Sequence, residues 1–403
     1  MTTTDGGADP NPHWWVPTRV VFGAGRVNDV PLEIERIGRP LAVVVDEHAL
    51  EAVPALAALV ERLSPEVLVR RAATTPTRGE AELLSGRLRE AGVRAVCAIG
   101  GGTVLDLAKA AAAAVMLPRL LTGWEPGGGF VLPEPAPRPG LPVVAVPTTA
   151  ATGSEVNAKA SLADGPDRRF LVHWSLFPRV AVVDPTLHTS LPPALTAEGA
   201  VETLARLLVP MVSDPPVSPL TDEVAIGQIR AVLPAAERAV ADGDDLEARG
   251  TIALAASVST FTVHQIGRHM HSFWVWYPIN TLTALGLRKG PALGVLLTRW
   301  ARLVVDGDKL AGDAGRLADL GGRALGLVGS PTPTEVADAL VELLRGWGFP
   351  TDIEELDLDL DADELTERTW RAWSEPLRPR TVPGAQPSPQ VALETQILAG
   401  THP

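Results

Sequence analysis

Ala98-Ile-Gly-Gly-Gly-Thr-Val-Leu-Asp-Leu-Ala-Lys109, read with Val146-Pro-Thr-Thr-Ala-Ala-Thr-Gly-Ser-Glu155 further along, decides the fold. Each segment begins as a short apolar, β-branched run and breaks into small residues where a strand should end. The first then continues as an Ala-rich helix from Leu105 to Val115. Three glycines at a strand-to-helix turn let backbone N–H groups approach a pyrophosphate, and the helix N-terminus behind them favours its charge. The second segment offers hydroxyl and backbone donors to the same ligand from the other side.

Outward from these segments, strands are expected at 17–22, 41–46, 67–72, 94–99, 142–147 and 180–184, with helices such as 48–63 and 79–91 between them. Strands alternating with helices predict a parallel sheet that binds ligands at its carboxyl edge. Trp124 to Pro142 is dense in Pro and Gly and reads as an excursion. Beyond Pro192 the β pattern gives way to amphipathic helical segments at 194–212, 218–241, 245–275, 290–304, 308–327, 333–347 and 362–374. The organisation expected is therefore a tail (1–16), an α/β domain (17–192), a helical domain (193–375) and a Pro-rich extended tail (376–403). Leu356-Asp-Leu-Asp-Leu-Asp-Ala-Asp-Glu364 lacks the glycine and the spaced final Glu of a calcium loop and reads as a solvated acidic turn.

The 403 residues suffice for two sizeable cores. A formal charge of −13, with no basic run interleaved with aromatics, argues against nucleic acid as a partner. The opening residues have neither a basic start nor an apolar centre, so no signal peptide is read there. No apolar run is long enough to span a bilayer. The single Cys97, in an expected buried strand, agrees with a reducing cytoplasm.

The quoted motifs resemble the iron-containing (group III) alcohol dehydrogenases and their relatives, the maleylacetate reductases, glycerol dehydrogenases and dehydroquinate synthases. Arg19-Val-Val-Phe-Gly-Ala-Gly25 is similar to the maleylacetate reductases' opening strand and turn. Val180-Ala-Val-Val-Asp-Pro185 and Leu191-Pro-Pro193 resemble the family's domain junction. The resemblance implies a Rossmann-like nicotinamide-binding domain, a helical C-terminal domain of the dehydroquinate synthase type, and catalysis in the cleft between them.

Asp46 ends the run Leu41-Ala-Val-Val-Val45, where a carboxylate suits a ribose 2′-hydroxyl and repels a 2′-phosphate. The family uses a matching Asp in this way, so NAD is the cofactor expected. Gly100, Gly101, Gly102 and Thr103 form the expected pyrophosphate cradle. Asp106 and Lys109 share the early face of its helix, and Thr148, Thr149 and Thr152 meet the ligand from the opposite side. Ala151 stands where the family usually has glycine.

The family's metal ligands are an Asp and a His one helical turn apart, then two further His. Aligning Gly199 with the family's glycine puts Val201 and Ala205 at the first two positions. Glu202 is one residue off and is expected to point about 100° away. The third ligand falls in Val263-His-Gln-Ile-Gly-Arg-His-Met-His271, leaving His264, His269 and His271 open, each with an alternative reading as a core or surface residue. The fourth matches Lys289, with Arg288 beside it. No metal is therefore expected. The Lys289 ammonium, or a His acting as base, would do the metal's work.

The main reading is an NAD-dependent, metal-independent dehydrogenase of a secondary alcohol, a β-hydroxy acid whose keto product loses CO2. Among metal-degenerate relatives the chain resembles the oxidative decarboxylases of daptide biosynthesis, which act on the C-terminal threonine of a ribosomal peptide. That resemblance implies a peptide-recognition partner, with Phe273-Trp-Val-Trp-Tyr277 lining a peptide channel or, alternatively, forming core or a dimer interface. Family members often dimerise, so a homodimer or hetero-complex is expected. The alternatives are a maleylacetate-reductase-like keto acid reductase and an NAD-binding pseudoenzyme scaffold. A dehydroquinate-synthase-like cyclase fits least, because that chemistry needs a metal.

Overall fold

The structure is a computed structural model that describes residues 16–356, apart from 123, 125–128, 132–139, 166, 214, 217, 267, 269–274 and 310. The two terminal tails, the acidic turn after Leu356, the helix at 362–374 and most of the Pro/Gly excursion lie outside the described residues.

Two compact units emerge, an α/β unit of Val16–Thr196 with Arg238–Thr260, and a helical unit of Ala197–Glu237 with Phe261 onward. The sequence alone placed 238–260 with the helical segments.

The α/β unit is built on β1 (Arg19–Phe22), β2 (Leu41–Asp46), β3 (Val67–Arg71), β4 (Ala95–Gly100), β6 (Val143–Pro147) and β9 (Val180–Val183). All six are parallel, in the order β1-β9-β6-β4-β2-β3. Every residue of β2, β4, β6 and β9 is buried, which is why these segments read as continuous apolar runs and not as alternating ones. Alternation reappears in what each residue touches. Val43, Val45, Cys97, Ile99 and Val144 share one core with α1 (Val30–Ile37) and α3 (Pro54–Leu63). Ala42, Val44, Val96, Ala98 and Ala145 share another with α4 (Arg78–Glu90) and α5 (Gly102–Met116). Burial pushes the Cys97 thiol up to about 12, so it behaves as a small core hydrophobe.

The strand order reverses beside β2, with β3 on one side and β4 on the other. A crevice for ligands opens at such a reversal, at the carboxyl ends of the two strands. Asp46 and Gly100 stand at those ends.

Several expectations need correction. The helix expected over 48–63 is two helices, α2 (Glu47–Ala52) and α3, because Pro54 holds Val53 extended at φ −123°. A second sheet went unread: β5 (Gly129–Val131), β7 (Lys159–Asp164) and β8 (Asp167–Val172), in the order β5-β8-β7. The helix expected over 245–275 ends early, as α8 (Leu246–Ser259), followed by a 3-10 turn at Thr262–Gln265. That expected over 308–327 is shorter, a continuous helical run over 314–325 that widens to a π-turn at Leu317–Gly321.

The helical unit carries most of α6 (Pro193–Ser213) and α7 (Pro219–Ala241), then α9 (Trp276–Ala284), α10 (Lys289–Val305) and the helix Pro333–Gly346. Val201, Leu204, Ala205 and Leu208 line the buried face of α6, and Trp300 of α10 is fully buried with its indole N–H donated to the Ala311 carbonyl at 2.9 Å. Asp222 accepts from both Arg268 and Arg316. Among the described residues no helix is long and apolar enough to cross a membrane.

Candidate active site

In the α/β unit the two motifs meet. Gly100 pairs in register with Pro147, and the Thr148 amide donates to the Gly100 carbonyl at 3.1 Å. A Cβ on Gly101 would lie 3.2 Å from the Thr149 side chain, and one on Gly102 only 2.7 Å from that of Thr152. The glycines thus let the threonine segment close over the first turn of α5. No side chain caps α5 and no acid lies in its first turn, so its N-terminal amides and partial positive charge are free for an anion. Asp46 stands beside this turn, with its Cβ 3.1 Å from where a Gly100 Cβ would be. Asp46 Oδ1 accepts from the amides of His48 and Ala49, which fixes the carboxylate. An anion cradle with an oriented carboxylate one strand away fits an adenine dinucleotide that carries a free ribose 2′-hydroxyl.

Asp106 and Lys109 sit differently from the sequence reading, which had them reach the cofactor edge. Asp106 accepts from the Ser154 hydroxyl (2.5 Å) and the Ser161 amide (2.9 Å). Lys109 is buried and donates to the carbonyls of Ser154 (2.9 Å), Asn157 (3.4 Å) and Lys159, and to Asn157 Oδ1 (3.1 Å). Burial lowers the ammonium to about 8, against the opposing pull of Asp106 and Glu155. Both side chains shape the segment that follows the threonines.

Other residues of this unit escaped the sequence reading. Buried Arg249 donates to Gly243 O (2.8 Å), Thr196 Oγ1 (2.7 Å) and Leu191 O (3.2 Å), tying α8 to the Leu191–Thr196 stretch. Ser257 of α8 donates to Glu155 at 2.5 Å. His188 holds the Pro147 carbonyl with Nε2 at 3.1 Å, at the root of the threonine segment. A lone Arg, Ser or His at these positions carries no local pattern, so nothing in the sequence marks them.

Burial pushes His188 down to about 4, with Arg249 also lowering it and the Pro147 carbonyl and Asp184 opposing. An imidazole neutral in the folded state but protonated near pH 6.5 in the unfolded chain costs stability as pH falls from 6.5 towards 4. Above that window its contribution is complete. The full loss is about 3 kcal/mol. The stability difference between wild type and His188→Gln, followed by denaturant unfolding from pH 7 to pH 4, should therefore shrink with acid. A pH-independent difference would refute this assignment.

In the helical unit the expected catalytic cations are paired. Lys289, the first residue of α10, places Nζ 3.4 Å from Glu202 Oε2. Arg206 Nη2 reaches the same oxygen at 3.4 Å, and its guanidinium lies 5.4 Å from the centre of the Trp276 ring. Arg288 pairs with Glu198, one turn before Glu202 on α6. A Cβ on Gly290 would lie 2.2 Å from Glu198 Cγ, so the glycine admits α6 to the start of α10. Burial raises the Glu198 carboxyl, helped by the charge of Glu202, while Arg288 and Lys289 lower it. Glu202, expected to point away, is buried and central, because the face of α6 that meets α10 is wide enough to include it.

His264 is buried, with Nε2 3.0 Å from the Gln228 side-chain nitrogen, and its carbonyl accepts from Arg268 at 3.0 Å. His269, His271, Phe273 and Trp274 lie outside the described residues.

Comparison with known proteins decides the family. Residues 17–185 match the iron-containing alcohol dehydrogenase pattern, and residues 212–379 match the Fe-containing alcohol dehydrogenase family's C-terminal pattern. The chain belongs to the iron-containing alcohol dehydrogenases. It is 30% identical to a 4-hydroxybutyrate dehydrogenase of Cupriavidus necator over 85% of this chain and 89% of that one. It is 24% identical to the NADH-dependent butanol dehydrogenase B of Clostridium acetobutylicum, over 88% and 92% of the two chains. The fold matches that of NADH-dependent butanol dehydrogenase A from Thermotoga maritima, with a TM-score of 0.81, 20% identity, and coverage of 98% and 99%. The protein is thus an oxidoreductase of the alcohol dehydrogenase type.

For an iron-containing alcohol dehydrogenase the helical unit is unusual. Val201 and Ala205, at the α6 positions assigned to the first two ligands, are fully buried and have no donor atom. Among the described residues no group of three His, Cys, Asp or Glu is placed to hold a metal ion. Among the described residues, the side chains at these α6 positions do not fit the family's metal.

Proposed function

We propose that this dehydrogenase oxidises the secondary alcohol of a hydroxy acid with NAD and without a metal, using the Lys289 ammonium where relatives use a cation. The observation that carries this reading is the juxtaposition on α6 and α10. Two metal positions are apolar, and the residue matched to the fourth ligand is a lysine paired with a buried carboxylate. Held at the Gly100–Gly102 turn beside Asp46, NAD would supply the acceptor for the hydride of the carbinol carbon. Lys289 donates a hydrogen bond to the alcohol oxygen and stabilises its developing negative charge, while the hydroxyl proton passes to solvent. Arg288, more than half exposed, is the cation that suits the substrate carboxylate. 4-Hydroxybutyrate, named in the activity of the Cupriavidus relative, is a hydroxy acid with a primary alcohol, so it supports the carboxylate of the substrate and not the secondary carbinol.

A β-hydroxy acid would yield a β-keto acid that loses CO2 unaided. The C-terminal threonine of a ribosomal peptide, delivered by a recognition partner, is the peptide form of that substrate.

Metal analysis of the purified protein with NAD titration tests the reading, followed by a screen of β-hydroxy acids and threonine-ended peptides for NADH and CO2. Turnover should survive exhaustive chelation. Stoichiometric iron or zinc, with activity lost on chelation and restored by the ion, would overturn it.

A further inference from the structure

We infer that Glu202 is the positioning residue for Lys289, an inference that rests on the function proposed above. A lysine at the start of a helix normally spreads its ammonium into solvent over many rotamers. Lys289 does not. Its side chain is 27% exposed, and its ammonium meets Glu202 Oε2, on a carboxylate only 5% exposed.

The carboxylate is itself held from the other side. Arg206, one helical turn along α6, binds the same oxygen, and the Trp276 ring backs its guanidinium. With Glu202 clamped by its own helix, Lys289 is the partner that comes to it. Two cations then share one carboxylate, leaving a net positive charge of one at a fixed place. The remaining ammonium N–H groups keep a defined direction for an oxyanion. A carboxylate that merely neutralised Lys289 would need no second cation.

The expected behaviour separates holding from charge. 3-Hydroxybutyrate and butyrate share the carboxylate assigned to Arg288 and differ in the hydroxyl that Lys289 faces, so the ratio of their affinities for the NADH-loaded protein, which cannot oxidise an alcohol, reads the Lys289 hydrogen bond without turnover. In NMR titrations wild type should prefer 3-hydroxybutyrate, and Lys289→Met should lose about tenfold of that preference, the worth of one charge-assisted hydrogen bond. Glu202→Ala, which removes the acceptor, should lose nearly as much. Glu202→Gln keeps an acceptor oxygen while removing the charge, and should retain the wild-type preference or exceed it. Equal behaviour of the Ala and Gln variants, in either direction, would overturn the positioning role. An unchanged preference in Lys289→Met would instead overturn the proposed function, because Lys289 would then not face the alcohol oxygen.

Discussion

Replacing Gly100 with alanine is expected to weaken NAD binding at least about tenfold and to destabilise the fold by about 1–3 kcal/mol, as overpacking does. The added Cβ would lie 2.8 Å from Val104 Cβ and 3.1 Å from Asp46 Cβ. Neither neighbour is the free end of a side chain, since both atoms are fixed to backbone. Relief requires the end of β4 to move away from β2 or from the first turn of α5. Either shift separates the Asp46 carboxylate from the anion cradle. The Gly102→Ala change is a useful comparison, because its new methyl would instead press on Thr152, 2.7 Å from Cγ2 and Oγ1 and 3.2 Å from Cβ. Calorimetric titration with NAD and denaturant unfolding of both variants check this. Wild-type affinity in Gly100→Ala would show that the dinucleotide does not lie across the ends of β2 and β4.

Lys289→Met should lower kcat by about 10²–10³-fold, the cost of losing one preorganised oxyanion donor, with NAD affinity unchanged. Met keeps much of the length and apolar stem of Lys, so the loss isolates the charge. Glu202 retains Arg206 as a partner, which limits the damage to the fold. Single-turnover kinetics with a hydroxy acid substrate, beside NAD titration of the same variant, make the measurement. Unaltered turnover would remove Lys289 from the chemistry and return weight to the histidine segment. A parallel loss of NAD affinity would mean that the substitution disturbs more than one ammonium.

The parallel sheet could be read locally, because burial on both faces forces continuous β-branched runs, and glycine-rich breaks mark where they end. The strands of the six-stranded sheet were legible in this local way, and so was a glycine turn at Gly100–Gly102 that the threonine segment meets in the fold. So was the loss of donor atoms at Val201 and Ala205, since apolar side chains cannot ligate in any fold.

Only the tertiary structure decided what the charged residues do. Asp106 and Lys109 have the helical spacing of ligand-facing residues, yet their polar atoms go to the Ser154–Ser161 segment, a partner that becomes visible only once that chain folds back. Glu202 was set aside on helical angle alone, yet its carboxylate meets Lys289 of α10 and Arg206 one turn along α6. His188 and Arg249 carry no motif and gain meaning from carbonyls that sequence distance conceals. Period and composition report on burial, which each residue's neighbours in sequence largely fix. Pairing of charges depends on contacts between distant segments, and no local pattern records those.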